Sequence, residues 1–413
     1  MKKLAFRRRR ILQIGAGGVA AGAISGFGAA PPSAASGKGS RPKAAGQPFP
    51  RGVSLPSAPP PQPMSPDESV GVAIIGLGRY ALAQIMPAFA AARGCHIAAL
   101  VSGNAGKAKR VAAAYGLDED RIYNYENFGD IASDDRVDAV YIILPTGLHA
   151  DWAEKAFAAE KHVLCEKPMA LSATECERMI AASERAGRKL MIGYRCHFEP
   201  YNLRAMELMR EKALGDLRLI RTAHQYRTGM ATPAENWRLN RALAGGGPLE
   251  DYGLYGLQAS LYLTGETPES LSAYTLQPKN DPRFQEIFAH ASTQLRFPSG
   301  AVAQLATSYD SFGMNAVSAR GAKGALVMEP ATSYSGNAMV LQTYGARETL
   351  TPGTSSVQFA QQLSHFAKAV RENAVIRTPG EMGLRDIRLI EAIYKAAASG
   401  RTLALNADAT LKD

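Results

Sequence analysis

The sequence predicts an α/β chain in two parts: a parallel sheet with helices on both faces, then an α+β domain with a large, mostly antiparallel open sheet. Three observations carry this expectation. Apolar strand-like runs alternate with helical stretches from Val72 to Tyr194, the pattern of consecutive βαβ units. The first run passes straight into a glycine turn at Gly76 and Gly78. Beyond Arg195 the strand-like runs lengthen and hairpin signals such as Pro298-Ser299-Gly300 appear, as expected where neighbouring strands are antiparallel.

The N-terminus comes first. Ten Lys and Arg residues precede Gly71 against only Asp67 and Glu68, so most of the formal charge of +10 sits there and the body is nearly neutral. A neutral body offers no electrostatic footprint for nucleic acid. Basic residues, then the weakly apolar run Ile11 to Ala30 diluted by six glycines, then Ser33-Ala34-Ala35 have the layout of an export signal over residues 1–35. Arg8-Arg9-Arg10-Ile11-Leu12-Gln13 is similar to the twin-arginine pattern, which addresses a protein to the periplasm. No run is apolar enough to predict a membrane anchor. Residues 36–69 are dense in Pro, Gly, Ser and Ala and read as a spacer or an extended arm with little core of its own.

Residues 70–194 form the first predicted domain. Val72 to Ile75 reads as a buried strand, and Gly76-Leu77-Gly78-Arg79-Tyr80-Ala81 turns it into a helix with G-x-G-x-x-A spacing, the fingerprint of a Rossmann dinucleotide-binding domain. Glycine lets the backbone approach a pyrophosphate, and the helix N-terminus supplies amides to it. His96 to Val101 reads as the second strand. Where an NAD-binding chain places Asp or Glu to hold the ribose hydroxyl, this one has Ser102-Gly103-Asn104 with Lys107 beyond. A hydroxyl and a cation suit a 2'-phosphate, so the expected cofactor is NADP. Further strands at Ala139 to Leu144, His162 to Cys165 and Leu190 to Tyr194 end at Pro145, Glu166-Lys167-Pro168 and Arg195. The carboxyl ends of such strands are where ligands bind.

Residues 195–413 form the second predicted domain. Strands are expected at Leu217 to Arg227, Ala291 to Phe297 and Val302 to Tyr309, and helices at Leu249 to Leu263, Gln358 to Arg371 and Met382 to Ala398. Asp251 and Tyr255 follow Gly245-Gly246-Gly247 at i, i+4 spacing and would share one helix face. A solvated face is the plainer account of such a pair. Near Lys167, a tyrosine hydroxyl would be an acid or base for alcohol oxidation. Trp237-Arg238 offers an aromatic wall and an orienting cation, and His149 either a ligand or a polar helix start. Cys95, Cys165, Cys176 and Cys196 have no metal-ligand spacing, so no metal is expected and free, at least partly buried thiols are.

Taken in order, Gly-Leu-Gly-Arg-Tyr-Ala, Ser-Gly-Asn, Leu-Pro-Thr-x-x-His, Cys-Glu-Lys-Pro-Met, Gly-Tyr-Arg-Cys-His, Asn-Trp-Arg-Leu and Gly-Gly-Gly-x-Leu-x-Asp-x-x-x-Tyr closely resemble the glucose-fructose oxidoreductase and inositol dehydrogenase family, and within it the exported NADP-containing subgroup. The resemblance implies a catalytic group of Lys167, Asp251 and Tyr255. It implies cofactor contacts from Gly76, Leu77, Gly78, Arg79, Tyr80, Ala81, Ser102, Lys107, Leu144, Pro145, Thr146, His149, Glu166, Lys167, Arg195, Trp237, Arg238 and Tyr334. It further implies NADP that stays bound while one sugar, an aldose, is oxidised to a lactone and another is reduced to a polyol. A homo-oligomer, dimer or tetramer, is implied too, with the proline-rich arm reaching a neighbouring subunit and helping to retain the cofactor. Tyr226 to Ala231, Asp310 to Asn315 and Tyr344 to Thr354 depart from the subgroup's pattern, which leaves a ketose or a second aldose open as the acceptor. A dehydrogenase with exchangeable NADP and a non-catalytic dinucleotide-binding module are the competing readings.

Overall fold

A computed structural model describes residues 49–412; the expected export signal and the arm up to residue 48 lie outside the described residues. Six parallel strands form the first sheet: β1 (Val70–Ile75), β2 (Cys95–Val101), β3 (Ile122–Tyr123), β4 (Ala139–Ile142), β5 (His162–Cys165) and β6 (Leu190–Ile192). Their order is β3-β2-β1-β4-β5-β6, so the winding reverses between β1 and β4 and opens a crevice at their carboxyl ends. Every residue of β1 and β2 is buried, because helices cover both faces and leave no side to alternate toward water.

One of those covering helices comes from the far end of the chain. Gln358–Arg371 packs Phe359, Leu363 and Phe366 into the same apolar cluster as Val72, Ile74 and Leu100. A boundary at residue 194 therefore divides the chain in sequence but not in packing. Segment 378–379 also adds to the sheet's edge, where the amide of Ile192 donates to the Thr378 carbonyl at 2.8 Å.

The second sheet has nine strands: β7 (Leu217–Arg227), β8 (Ser270–Leu276), β9 (His290–Arg296), β10 (Val302–Ser308), β11 (Asp310–Gly321), β12 (Gly324–Met328), β13 (Met339–Thr343), β14 (Ala346–Leu350) and β15 (Leu403–Ala404). In the order β14-β13-β12-β11-β7-β10-β9-β8-β15, only β7 and β10 run parallel. Burial alternates along β9, as in a sheet with one face on a core. Helices Leu254–Thr264 and Gly380–Ser399 cover that face with Leu257, Leu261, Leu389 and Ile393, against Ile220, Leu295 and Leu305.

Two expectations need adjusting. The helix expected from Leu249 begins as a π turn over Leu249–Gly253 and becomes α-helical at Leu254, so Asp251 and Tyr255 do not sit at regular α spacing. The described part of the proline-rich stretch is no free spacer. Phe49, Val53 and Leu55 pack on the first domain's core, with the Arg110 guanidinium 4.4 Å from the Phe49 ring. Pro59 abuts Gly116. Small apolar anchors spaced among prolines are enough to seat an already extended chain at little entropic cost.

Candidate active site

The dinucleotide turn leaves β1 at Gly76, whose φ of +94° and closeness to the Ile143 carbonyl leave no room for a Cβ. Around Gly78 the space is open for at least 4 Å, room that suits a phosphate. Leu77 and Ala81 are buried, Arg79 is exposed and Tyr80 half-buried. At the end of β2, the Ser102 Oγ accepts from the Asn104 amide at 3.2 Å. The Asn104 side chain caps the helix Ala105–Tyr115 by accepting from the Lys107 amide at 2.9 Å. Lys107 is buried, its pKa lowered by that burial, and no carboxylate among the described residues pairs with it. A partly desolvated ammonium without a counter-ion carries a cost, and a 2'-phosphate at this strand end would supply one.

Across the crevice, Leu144 and Pro145 are half-buried and Thr146 is buried. The two ring nitrogens of His149 lie 2.8 Å from the Leu144 carbonyl and 2.9 Å from that of Pro168. His149, 1% exposed, thus ties the turn after β4 to the turn after β5. Glu166 opens the latter. Its carboxylate accepts from the Tyr141 hydroxyl at 2.6 Å, and that hydroxyl accepts from Gln362 at 2.9 Å. Burial raises the Glu166 pKa, while Tyr141 and the Lys167 charge oppose the rise.

Lys167, Asp251 and Tyr255 come together at this edge. The Lys167 ammonium donates to the Asp251 carbonyl at 2.5 Å, stands 3.4 Å from its carboxylate, and lies 4.8 Å from the centre of the Tyr255 ring. The other carboxylate oxygen of Asp251 accepts from the Tyr309 hydroxyl at 2.8 Å, Arg238 Nε at 3.3 Å and the Tyr226 hydroxyl at 3.5 Å. Burial alone would raise the Asp251 pKa; Lys167, Arg238 and Tyr309 overcome it and hold the carboxyl at about 2. Asp251 is therefore a fixed anion, whereas the adjacent Glu250 faces away. It accepts from the Gly246 amide at 2.6 Å and Tyr394 at 2.7 Å, and burial pushes its pKa up to about 7. A π turn projects such neighbours in directions an α-helix would not.

Arg195 Nε donates to the Tyr255 hydroxyl at 3.1 Å. Burial raises the Tyr255 pKa, and the Arg195 charge pulls against the rise. The Arg195 guanidinium carbon stands 4.6 Å from the Tyr255 ring and 4.7 Å from the Tyr334 ring. Tyr334 in turn lies 5.9 Å from Tyr80, above the dinucleotide turn. Arg238 stacks on Trp237 at 4.6 Å. Contacts thus link Lys167, Asp251, Tyr255, Arg195, Arg238, Tyr334 and Tyr80, whereas both ring nitrogens of His149 face backbone carbonyls, to one of which the neutral imidazole donates. Sequence reasoning missed Tyr226, Tyr309, Tyr141, Gln358 and Gln362. Two glutamines four residues apart among the apolar positions of a helix were the only signal available for the last two.

All four cysteines are free and buried. Among the described residues no group of three or more metal-binding side chains occurs, and no helix is long and apolar enough to cross a membrane.

Two family models match: the oxidoreductase family NAD-binding Rossmann fold over residues 70–194 and the oxidoreductase family C-terminal alpha/beta domain over residues 206–405. D-xylose 1-dehydrogenase [NADP(+)] of Haloarcula marismortui is 32% identical over 350 residues, 82% of this chain and 94% of that protein. D-xylose 1-dehydrogenase (NADP(+)) 2 of Haloferax volcanii is 30% identical, covering 81% and 99%. Among solved structures, aldose-aldose oxidoreductase from Caulobacter crescentus complexed with glycerol is 44% identical with a TM-score of 0.79, over 82% of this chain and all of that one. A 3-ketoreductase from Actinomadura kijaniata in complex with NADP and TDP-benzene is 25% identical with a TM-score of 0.70, over 79% and 98%.

Proposed function

Because the chain belongs to the GFO/IDH/MocA oxidoreductase family, we propose that it is an NADP-dependent sugar oxidoreductase that oxidises an aldose to its lactone and reduces a second sugar to a polyol while NADP stays bound. The observation that supports this reading best is Lys167, held between the Asp251 carboxylate and the Tyr255 ring beside the dinucleotide turn. NADP, when bound, accepts a hydride from one sugar and returns it to the next. Gly76 to Ala81 would hold its pyrophosphate, and Ser102 with Lys107 its 2'-phosphate. Tyr255 takes the proton of the sugar hydroxyl during oxidation and gives one to the carbonyl oxygen during reduction. Lys167 and Arg195 are the two cations that favour the deprotonated phenol in the first half, and Asp251 keeps Lys167 aimed.

The 44% identity to an aldose-aldose oxidoreductase favours a second aldose over a ketose as acceptor. Relatives named NADP-dependent D-xylose 1-dehydrogenases favour a second reading, one-way aldose oxidation with NADPH released. One experiment separates the two. The purified protein is gel-filtered, its bound nucleotide identified, and D-glucose or D-xylose added while nicotinamide absorbance is followed. Retained NADP that is reduced by one aldose and reoxidised by a second sugar supports the proposal. NADPH in the filtrate supports the dehydrogenase, and no reduction by any aldose rejects both.

Periplasmic export by the twin-arginine route belongs to the same proposal. It rests on Arg8-Arg9-Arg10 and the weakly apolar run beyond, and cell fractionation of an Arg8→Lys, Arg9→Lys variant tests it. Assembly into a homo-oligomer rests on the exposed Tyr274 and Phe312 in the second sheet and on exposed Tyr344 in the turn between β13 and β14, since large exposed apolar groups mark contact surfaces. Light scattering measures it.

A further inference from the structure

Arg195 is a buried cation, 3% exposed, with no carboxylate in ion-pair range among the described residues. Its three nitrogens are each directed. Nη1 donates to Gln358 Oε1 at 2.6 Å, Nη2 to the Thr332 carbonyl at 2.6 Å, and Nε to the Tyr255 hydroxyl at 3.1 Å. A guanidinium is a rigid planar fork, so the two short bonds determine where the third N–H points. Gln358 is fully buried and its amide has one orientation. Its Nε2 faces the carbonyls of Ser355, Tyr334 and Ser333 at 2.8, 3.1 and 3.2 Å. Turning it over would set N–H against N–H and oxygen against oxygen.

The consequence falls on Tyr255. Its oxygen accepts from Arg195, and among the described residues nothing accepts its proton. The O–H bond must then point away from the arginine, where a sugar oxygen can meet it. We propose that Gln358, by fixing the Arg195 fork, orients the Tyr255 oxygen so that its free side faces the sugar, to accept a proton in oxidation and return one in reduction, and so is a positioning residue for proton transfer, although it lies 163 residues from Arg195 in sequence. The inference rests on the reading of Tyr255 as the proton-transfer residue. Among the described residues no other side chain accepts from an Arg195 Nη nitrogen, since the second acceptor is a backbone carbonyl.

Rapid mixing of the NADP-loaded enzyme with D-glucose or D-xylose, across a range of pH, tests it. Gln358→Leu strands one Arg195 donor and takes the side-chain donor from the Ser355, Tyr334 and Ser333 carbonyls, which is expected to slow reduction of NADP by about tenfold to a hundredfold, with nucleotide content and the sugar concentration for half-maximal rate little changed. The acid limb of the pH profile should move to higher pH, because an arginine that drifts no longer helps the phenol ionise. In a Tyr255→Phe background the same substitution should cost nothing further, as groups acting through one another are non-additive. If Gln358→Leu does not fold, Arg195→Lys keeps the charge without the fork and should show the same displacement and non-additivity. An unmoved pH profile, or an undiminished loss in the Tyr255→Phe background, overturns the proposal for Gln358. A Tyr255→Phe enzyme that reduces its NADP at the unmodified rate instead overturns the role of Tyr255 on which it rests.

Discussion

Asp251→Asn isolates the electrostatic part of the site. The substitution keeps the size and one acceptor but removes the charge that Lys167 at 3.4 Å, Arg238 at 3.3 Å and Tyr309 at 2.8 Å jointly stabilise. Those groups hold the carboxyl at about 2 against a usual 3.8, after overcoming burial. That difference of roughly two pKa units corresponds to about 2 to 3 kcal/mol in favour of the charged form, net of burial. The same attraction is felt by the cations, which lose it in the variant, while an amide N–H faces either Lys167 or the cluster of Tyr309 and Arg238. If the attraction keeps Lys167 beside the Tyr255 ring, its loss should slow reduction of bound NADP by an aldose by roughly 50- to 100-fold. Single-turnover absorbance reads this directly, free of product release. The sign with pH is also determined. A carboxyl at about 2 is ionised throughout the working range, so the acid limb of the unmodified enzyme's profile belongs to another group, and the variant should retain that limb. An Asp251→Asn enzyme that turned over at the unmodified rate, or that lost the acid limb, would refute this reasoning.

Three further outcomes are expected. Tyr255→Phe should keep NADP yet slow both half-reactions by about 10²- to 10⁴-fold, with Lys167→Ala in the same range and the double variant little worse; multiplication of the two losses in stopped-flow traces would count against a shared role. Ser102→Asp should weaken NADP through repulsion of its 2'-phosphate and admit NAD, and unchanged preference in fluorescence titrations would sink the assignment of that strand end. Glu250, buried and raised to about 7, favours its protonated form in the fold. Its contribution to stability is therefore full below about pH 4.5 and lost as pH rises through 7, by at most about 3 kcal/mol. Glu250→Gln should flatten that fall in calorimetric scans between pH 5 and 9, and parallel slopes for the two proteins would exclude it.

What was legible in the sequence followed the range of the interactions involved. β7 has the bounds expected for it, Leu217–Arg227, and the helix Ala105–Tyr115 lies between an Asn104 cap and a left-handed Gly116. Both are local signals, read within a dozen residues. Lys167 and Tyr255 were legible through motifs, because chemistry restricts residue types at strand and helix ends. Tyr309 was visible only as the last residue of a strand-like run. Its value lies in a hydroxyl bond to Asp251, 58 positions earlier, and nothing in its neighbourhood encodes that. The π turn at Leu249–Gly253 was equally hidden, since Gly247 and Pro248 mark an irregular helix start without stating how wide the first turn will be.

The returning helix Gln358–Arg371 bears on the order in which the protein comes into being. Chains fold as they are synthesised, N-terminal parts first, yet the face of β1 and β2 that receives Phe359, Leu363 and Phe366 stays bare until those late residues leave the ribosome. A nascent first domain thus exposes an apolar surface and lacks both Gln362 behind Glu166 and Gln358 behind Arg195. Completion of the chain and completion of the crevice are one event, so a truncated product would carry neither a sealed core nor a finished nucleotide site.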